Sequence, residues 1–282
     1  MKRLVSLLCA VAILAGLLTG LSGCRNDDNA PLAFPTDGSL VQVIVGATPR
    51  PHAEILAYIA PRLRAEGIEL IIQEFTDFHA PNPALFEGQL HANYFQHVPF
   101  LNAYITNTGN YLHVVGPIHV EPMGAYSLTL DNINDIPQNG TVAIPGDATN
   151  GGRALLLLQQ AGLITIDPAA GILATRSDIT YNPRNLEILD FDAAMLPRVL
   201  MASETDVSIV NTNHLIAADT GLCPVNDSLV REPTFGNPYA NVLVVREENA
   251  DSPVIAALLR HLQSEAVRAF IYRNYTGVEP VF

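Results

Sequence analysis

The 282-residue sequence predicts an α/β protein of two lobes, joined by two extended crossings with a cleft between them. Three observations predict this. Strand-like and helix-like patterns alternate in two separate series, one starting at Leu40 and one at Thr141. A proline-bearing extended stretch, Ile118–Tyr126, separates the series, and a β-branched run at Ala240–Arg246 returns after the second. About 240 ordered residues, in a chain that is 49% hydrophobic, bury a sizeable core, and that length suits two lobes better than one.

The first series opens with Leu40–Gly46, a β-branched run stopped by glycine, which reads as a buried strand. His52–Arg64 carries Ile55, Leu56, Ile59 and Leu63 at helical spacing, and Pro61 is expected to kink or end that helix. Ile68–Phe75 follows as a strand, Pro83–Gly88 as a short helix and Ala92–Phe95 as a third strand. Pro99–Asn107 reads as a helix and Tyr111–Val115 as a strand. Pro117 and Pro122 cannot donate to a ladder, so the stretch beyond Gly116 is expected at an edge or in a crossing. The second series contains strand Thr141–Ile144, a helix at Arg153–Ala161, and strands at Leu186–Asp190 and Val207–Val210. Helices at Ser252–His261 and Glu265–Tyr275 close the chain. The expected division is 40–124 with 241–282 in one lobe and 125–240 in the other. Ligand sites in such sheets lie at the carboxyl ends of the strands.

Ahead of this fold, Lys2 and Arg3 precede an apolar run, Leu4–Leu21, that ends in Leu21-Ser22-Gly23-Cys24. A basic start, an apolar core and a small-residue site mark 1–23 as a secretory signal peptide. Roughly 18 apolar residues nearly span a bilayer, but Gly16, Gly20 and Gly23 cluster at the end of the run and favour a signal. A cysteine straight after Leu-Ser-Gly resembles the bacterial lipobox. That implies Cys24 becomes a mature N-terminus carrying acyl chains such as palmitate, anchored in the lipid bilayer on the extracytoplasmic face. Residues 24–39, with Pro31 and Pro35, read as a flexible tether. Once Cys9 is removed and Cys24 acylated, Cys223 has no intrachain partner. The formal charge of −13 becomes −15 (−13 − 2) without Lys2 and Arg3, which excludes nucleic acid as a partner. Lys2 is the only lysine, so the mature chain has no lysine nucleophile, Schiff base or Walker lysine.

One loop combines features that suit an anion. The strand Thr141–Ile144 runs into Pro145–Gly152 and then a helix opening at Arg153. Free N–H groups at a helix start attract anions, Gly151-Gly152 permits close backbone approach, and Arg153 adds a planar fork for a carboxylate. A phosphate-cradling loop would need a Lys-Ser/Thr ending, which is missing. Phe75, Phe78, Tyr94 and Phe95 stand at the ends of two adjacent strands, where a pocket would open. Alternation prevents Tyr94 and Phe95 from both facing it. Six histidines fall between His52 and His119, yet no HExxH pair and no paired cysteines accompany them, so no metal site is expected. No Gly-x-Ser-x-Gly elbow occurs, and no enzymatic activity is expected.

Val45–Leu56, Glu74–Phe78, Ala92–His97, Val115–Gly124, Val142–Pro145, Thr149–Leu158 and Pro238–Glu247 stand in one order along the chain. These segments resemble the NlpA-type methionine-binding lipoproteins of methionine ABC importers, from about Val41 to the C-terminus. The resemblance implies a two-lobed, type II-like periplasmic-binding-protein fold that closes over one amino acid without any cofactor. Its implied partners are L-methionine and a membrane-embedded ABC importer permease. Carried over by motif, Phe78, Tyr94 and Phe95 would wall the thioether, with His97 beside them. Asn150 and Arg153 would take the α-carboxylate, and Asn211 and Asn241 the α-amino group. The alternatives are a same-fold receptor for a methionine-containing dipeptide, a sulfoxide or another apolar amino acid, or a metal-binding lipoprotein. Three departures bear on the ligand. Arg50 stands where relatives usually have glycine, His214 where they usually have tyrosine, and Gly236-Asn237 replaces a more acidic stretch.

Overall fold

The computed structural model describes residues 31–282, so the signal segment and Cys24 lie outside the described residues. Two sheets organise the rest. The first is built from β1 (Val41–Ala47), β2 (Ile68–Glu74), β3 (Ala92–His97), β4 (His113–Val120), β12 (Ala240–Val245) and β13 (Glu279–Pro280). Its strand order is β13-β4-β12-β3-β1-β2, with β1 parallel to β2 and β3, and β12 antiparallel to both β3 and β4. The second is built from β5 (Gly124–Tyr126), β6 (Thr141–Pro145), β9 (Glu187–Phe191), β10 (Val207–Val210) and β11 (Val230–Arg231), in the order β11-β5-β10-β6-β9. β7 (Thr165–Ile166) and β8 (Ile179–Tyr181) pair separately. The chain passes from the first sheet to the second at Glu121–Met123 and returns between β11 and β12.

Period-2 alternation explains why both faces of the first sheet are dry. Val43, Val45, Leu243 and Val245 enter one cluster with Ile55, Leu56, Ile59 and Leu63 of α1 (Glu54–Ala65). Leu258 of α7 (Pro253–Leu262) and Ile271 of α8 (Glu265–Asn274) join it. The intervening Val242 and Val244 face the other way, onto Leu85 of α2 (Pro81–Phe86) and Leu101 of α3 (Val98–Thr108). A strand covered on both sides needs apolar residues at every position, and β12 has them from Val242 to Val245. In the second sheet Val142, Ile144, Val207 and Ile209 pack on Leu155 and Leu158 of α4 (Ala148–Gln160). Ala143 and Val210 pack opposite, with Leu196 and Leu200 of α5 (Leu196–Met201) and Leu215 of α6 (Thr212–Ala217).

Several boundaries differ from the sequence reading. Pro61 neither kinks α1 to a stop nor ends it, since the helix continues to Ala65. β4 runs through Pro117, which pairs only with Val242 of β12, because β13 covers β4 solely at His119 and Val120. The proline therefore occupies an open edge, as its missing N–H requires. Leu32, expected in the tether, is fastened instead: its N–H donates to Asn249 Oδ1 at 2.8 Å.

The largest difference lies at α4, which begins at Ala148 rather than Arg153. Asp147 caps it by accepting from Asn150 N–H at 2.9 Å. Gly151 and Gly152 are consequently inside the helix. A Cβ on Gly151 would meet Pro145 O at 2.8 Å, and one on Gly152 would meet Ile172 O at 2.4 Å. These glycines let α4 lie against neighbouring backbone; they do not open it to a ligand. Gly152→Ala is expected to destabilise the protein by about 1–3 kcal/mol through this clash, read as a lower midpoint in urea unfolding. An unchanged midpoint would contradict the packing role.

Candidate functional site

The carboxyl ends of β3, β4, β6 and β10, with the start of antiparallel β12, converge between the two sheets. Asn241 pairs across the strands with His97 on one side and His119 on the other. Thr48 and His52 follow β1, Asn150 and Arg153 lie on α4, and Asn211 follows β10. A cavity opens at this junction. Phe78, Phe95, His97, Asn150, Arg153, Asn211 and Asn241 line it. Tyr94 does not. It is fully buried on the opposite face of β3, within the core cluster of the first sheet, and its ring meets that of His52 at 4.7 Å. Strand alternation separates it from Phe95, as it must.

The apolar end is a triangle of phenylalanines. Phe78, Phe95 and Phe100 have ring centroids 6.0 to 6.2 Å apart. Phe100, on the first turn of α3, takes the place the sequence reading gave to Tyr94. Its tie to His97 explains its position: Phe100 N–H donates to His97 Nδ1 at 3.2 Å, so the histidine caps the helix that carries the ring.

The polar end is a set of side chains whose orientations fix one another. Arg153 is 3% exposed and grips Glu232 with two bonds, Nε to Oε1 and Nη2 to Oε2, both 2.7 Å. Nη2 also donates to the Glu121 carbonyl at 2.7 Å, and the guanidinium lies over the Tyr239 ring at 4.2 Å. Among the described residues its Nη1 has no partner. Glu232 accepts further from Met123 N–H at 2.9 Å and Asn237 Nδ2 at 3.1 Å. Asn150 is committed on both ends of its amide. Nδ2 donates to Asp147, while Oδ1 accepts from Asn211 Nδ2 at 2.9 Å and His97 Nε2 at 3.3 Å. Asn150 therefore braces its neighbours through its oxygen and through the N–H directed at Asp147.

Asn241 also differs from expectation. Its Oδ1 lies 3.0 Å from His52 Nε2, and an amide oxygen only accepts, so Nε2 carries the proton. His52 Nδ1 then accepts from Thr48 Oγ1 at 2.7 Å. Asn241 is left with its N–H groups to offer, which suit a carboxylate and not an ammonium. Asn211 is the opposite case: its Oδ1 is buried without a partner among the described residues. A buried acceptor left unmade is costly, and its natural complement is a donor. Glu121, Thr212 and Asn213 complete the polar wall, and the sequence reading missed all three along with Gln96 and Phe100. Glu121 was detectable, because His119 and Glu121 are two residues apart in an extended stretch, inside a motif already singled out.

His52, His119 and Glu121 place ligand-type atoms within 4.8 Å of one another. His119 Nε2 and Glu121 Oε1 are only 2.6 Å apart, whereas two ligands of one tetrahedral zinc stand roughly 3.3 Å apart given the usual metal–ligand lengths. The contact is a hydrogen bond.

Burial keeps the site's histidines neutral. His97 is pushed down to about 3, by desolvation first and the Arg153 charge second. His214, packed on Phe78 at 4.5 Å, is pushed down to about 4 by desolvation, opposed by Asp192 and Asp77. An unfolded histidine titrates near 6.5, so between 6.5 and these values the unfolded chain takes up protons that the folded chain refuses. The stability involved is complete above pH ~6.5 and is lost as pH falls through that window, by roughly 1.4 kcal/mol per pH unit for each such residue. Urea unfolding at about pH 7.5, 6 and 5 is expected to reveal this slope, and His97→Gln to remove about one residue's share of it. A slope unchanged in the variant would contradict the assignment.

The family model of the NlpA lipoprotein matches residues 43–281. The chain is 36% identical to the methionine-binding lipoprotein MetQ of Bacillus subtilis over 238 residues, 84% of this chain and 86% of the relative. It is also 36% identical to the D-methionine-binding lipoprotein MetQ of Escherichia coli K12, covering 95% and 94% of the two chains. Among solved structures, a nutrient binding protein from Burkholderia cenocepacia bound to methionine superposes with a TM-score of 0.81. It shares 36% identity, over 85% of this chain and all of that one. A periplasmic substrate-binding protein of an ABC transporter from Coxiella burnetii gives 0.80 at 36% identity, with 85% and 100% covered. The two-sheet architecture and its cleft are those of the periplasmic-binding-protein fold, and the chain belongs to the NlpA lipoprotein family.

Proposed function

We propose that this chain is an extracytoplasmic, lipid-anchored receptor that binds methionine and delivers it to an ABC importer. One observation carries the reading: the cavity joins an apolar triangle to a polar end that offers donors and an acceptor separately. Phe78, Phe95 and Phe100 suit a flexible thioether, for which each sulfur–aromatic contact contributes about 0.3–1.5 kcal/mol. Arg153 Nη1 and the Asn241 amide N–H groups suit the α-carboxylate, and Asn211 Oδ1 suits the α-ammonium. His97 and Asn150 hold these groups at their angles. This arrangement keeps Arg153 and Asn211 in the roles implied by resemblance, moves Asn241 to the carboxylate and makes Asn150 a brace. The methionine-bound neighbour and the relatives' names support the ligand class.

Closure follows from where the residues sit. Phe78, Phe95, His97 and Asn241 belong with the first sheet, Asn150, Arg153 and Asn211 with the second. A ligand that touches both sets gains its full contacts only when they are together, so binding shifts the population towards the closed form. The importer permease would read that form. Anchoring through acylated Cys24, with residues 1–23 removed, rests on the Leu-Ser-Gly-Cys ending of the apolar segment. No helix among the described residues is long and apolar enough to cross a membrane.

The test is calorimetric titration of the full chain in detergent, refolded from denaturant to strip carried-over ligand. L-methionine is expected to bind one to one. Arg153→Lys, which keeps a charge but loses the fork, is expected to weaken binding by about 10- to 100-fold, as for a lost charge-assisted bond. Absence of heat with methionine, but heat with a methionine dipeptide, would move the assignment to the dipeptide.

A further inference from the structure

Counting charge in the buried wall leaves one group unbalanced. Arg153 and Glu232 neutralise each other through their paired bonds. Glu121, which lines the same cavity and is 6% exposed, has only neutral donors. His119 Nε2 reaches its Oε1 at 2.6 Å, with His52 Nε2 at 3.4 Å, and Asn213 N–H reaches its Oε2 at 3.1 Å. Arg153 touches only its backbone carbonyl. The histidines are not cations here, since burial pushes both well below their ordinary value. A buried carboxylate without a countercharge is strongly disfavoured.

The surroundings nonetheless orient Glu121 as an acceptor. Tyr94 O–H and His119 Nδ1 form a hydrogen bond on the core side of the sheet. With Nδ1 accepting from Tyr94, the neutral ring keeps its proton on Nε2 and donates it to Glu121. This explains why Tyr94 sits behind the site and not in it. His52 is held in the matching tautomer by Thr48 and Asn241. Asn213, which donates to Glu121 Oε2, belongs to the turn that carries Asn211, so the carboxylate and the unpaired Asn211 oxygen flank one corner.

We infer that Glu121 is the counter-ion of the ligand's α-ammonium, held as an acceptor by the Tyr94–His119 pair, and that a free ammonium is what the site requires of its ligand. The inference rests on the amino-acid reading above and deepens it, from an apolar amino acid in general to one with an unblocked, protonated amine. Burial raises the Glu121 carboxyl, partly opposed by the Arg153 charge and the Asn213 N–H bond. The charge of Glu121 is also felt at Tyr275, just beyond α8. The ligand-free protein therefore takes a proton at Glu121 as pH falls, and ligand binding expels it. Affinity for an ammonium-bearing ligand is full above the raised value and falls as pH drops through it.

The experiment compares L-methionine with its deamino analogue, 4-(methylsulfanyl)butanoate, on the full chain and on Glu121→Gln. Wild type is expected to prefer methionine by about 100-fold or more, the scale of a buried ion pair with one partner removed. Glu121→Gln is expected to lose that preference by weakening methionine alone. A second readout needs no variant: titration of wild type near pH 5 in two buffers of different ionisation enthalpy. Methionine binding is expected to release protons there and analogue binding to release none. Equal weakening of both ligands in Glu121→Gln, or methionine binding without proton release, would overturn the inference while leaving the methionine reading intact. Failure of wild type to bind methionine would overturn both.

Discussion

A guanidinium taken out of water must be held on every side, and Arg153 is held in a way that decides the shape of the cavity around it. Glu232 takes two of its donors, the crossing segment takes a third through the Glu121 carbonyl, and Tyr239 covers its face. Because Glu232 precedes the return to the first sheet and Glu121 begins the departure from it, this one side chain ties both passages between the sheets to α4. Removing it would leave Glu232 as a buried unpaired charge, a loss of about 3–5 kcal/mol before any ligand is considered.

The same interaction limits what Arg153 can give a ligand. With Nε and Nη2 engaged, a carboxylate meets Nη1 alone, and a second donor has to come from elsewhere. On the proposed reading Asn241 would supply it, because His52 has already claimed its oxygen. On that reading, selectivity for an amphoteric head group would come from internal hydrogen bonds that turn each amide one way, and no residue would be specific by type alone. Asn211 and Asn241 are the same residue with opposite roles.

The fold was legible because its cause is local. Strand and helix periods at Val41–Ala47, Glu54–Ala65 and Ala240–Val245 follow from which faces are dry, and a single sequence displays those periods. Most of the cavity-lining positions were legible through motif resemblance, but several of their roles were not. Gly151 and Gly152 read as a ligand loop because their purpose, contact with Pro145 and Ile172, involves backbone distant in sequence. The bracing role of Asn150 was not legible because nothing local announces that His97 and Asn211 share its oxygen. Phe100 was passed over because helix α3 begins a residue before the expected start, with His97 as its cap. Hydrogen-bond direction belongs to the assembled site, and sequence patterns carry no trace of it.

The phenylalanine triangle has an implication for how such a receptor diversifies. Phe78, Phe95 and Phe100 all come from the first sheet's half of the chain, while the groups that sense charge straddle both passages. The triangle also meets the second half, since Phe78 packs on His214 at 4.5 Å and shares a cluster with Ala193. A change at any of the three rings thus alters the side-chain pocket and the seam between the two halves together, so the pocket diversifies only as far as that seam tolerates.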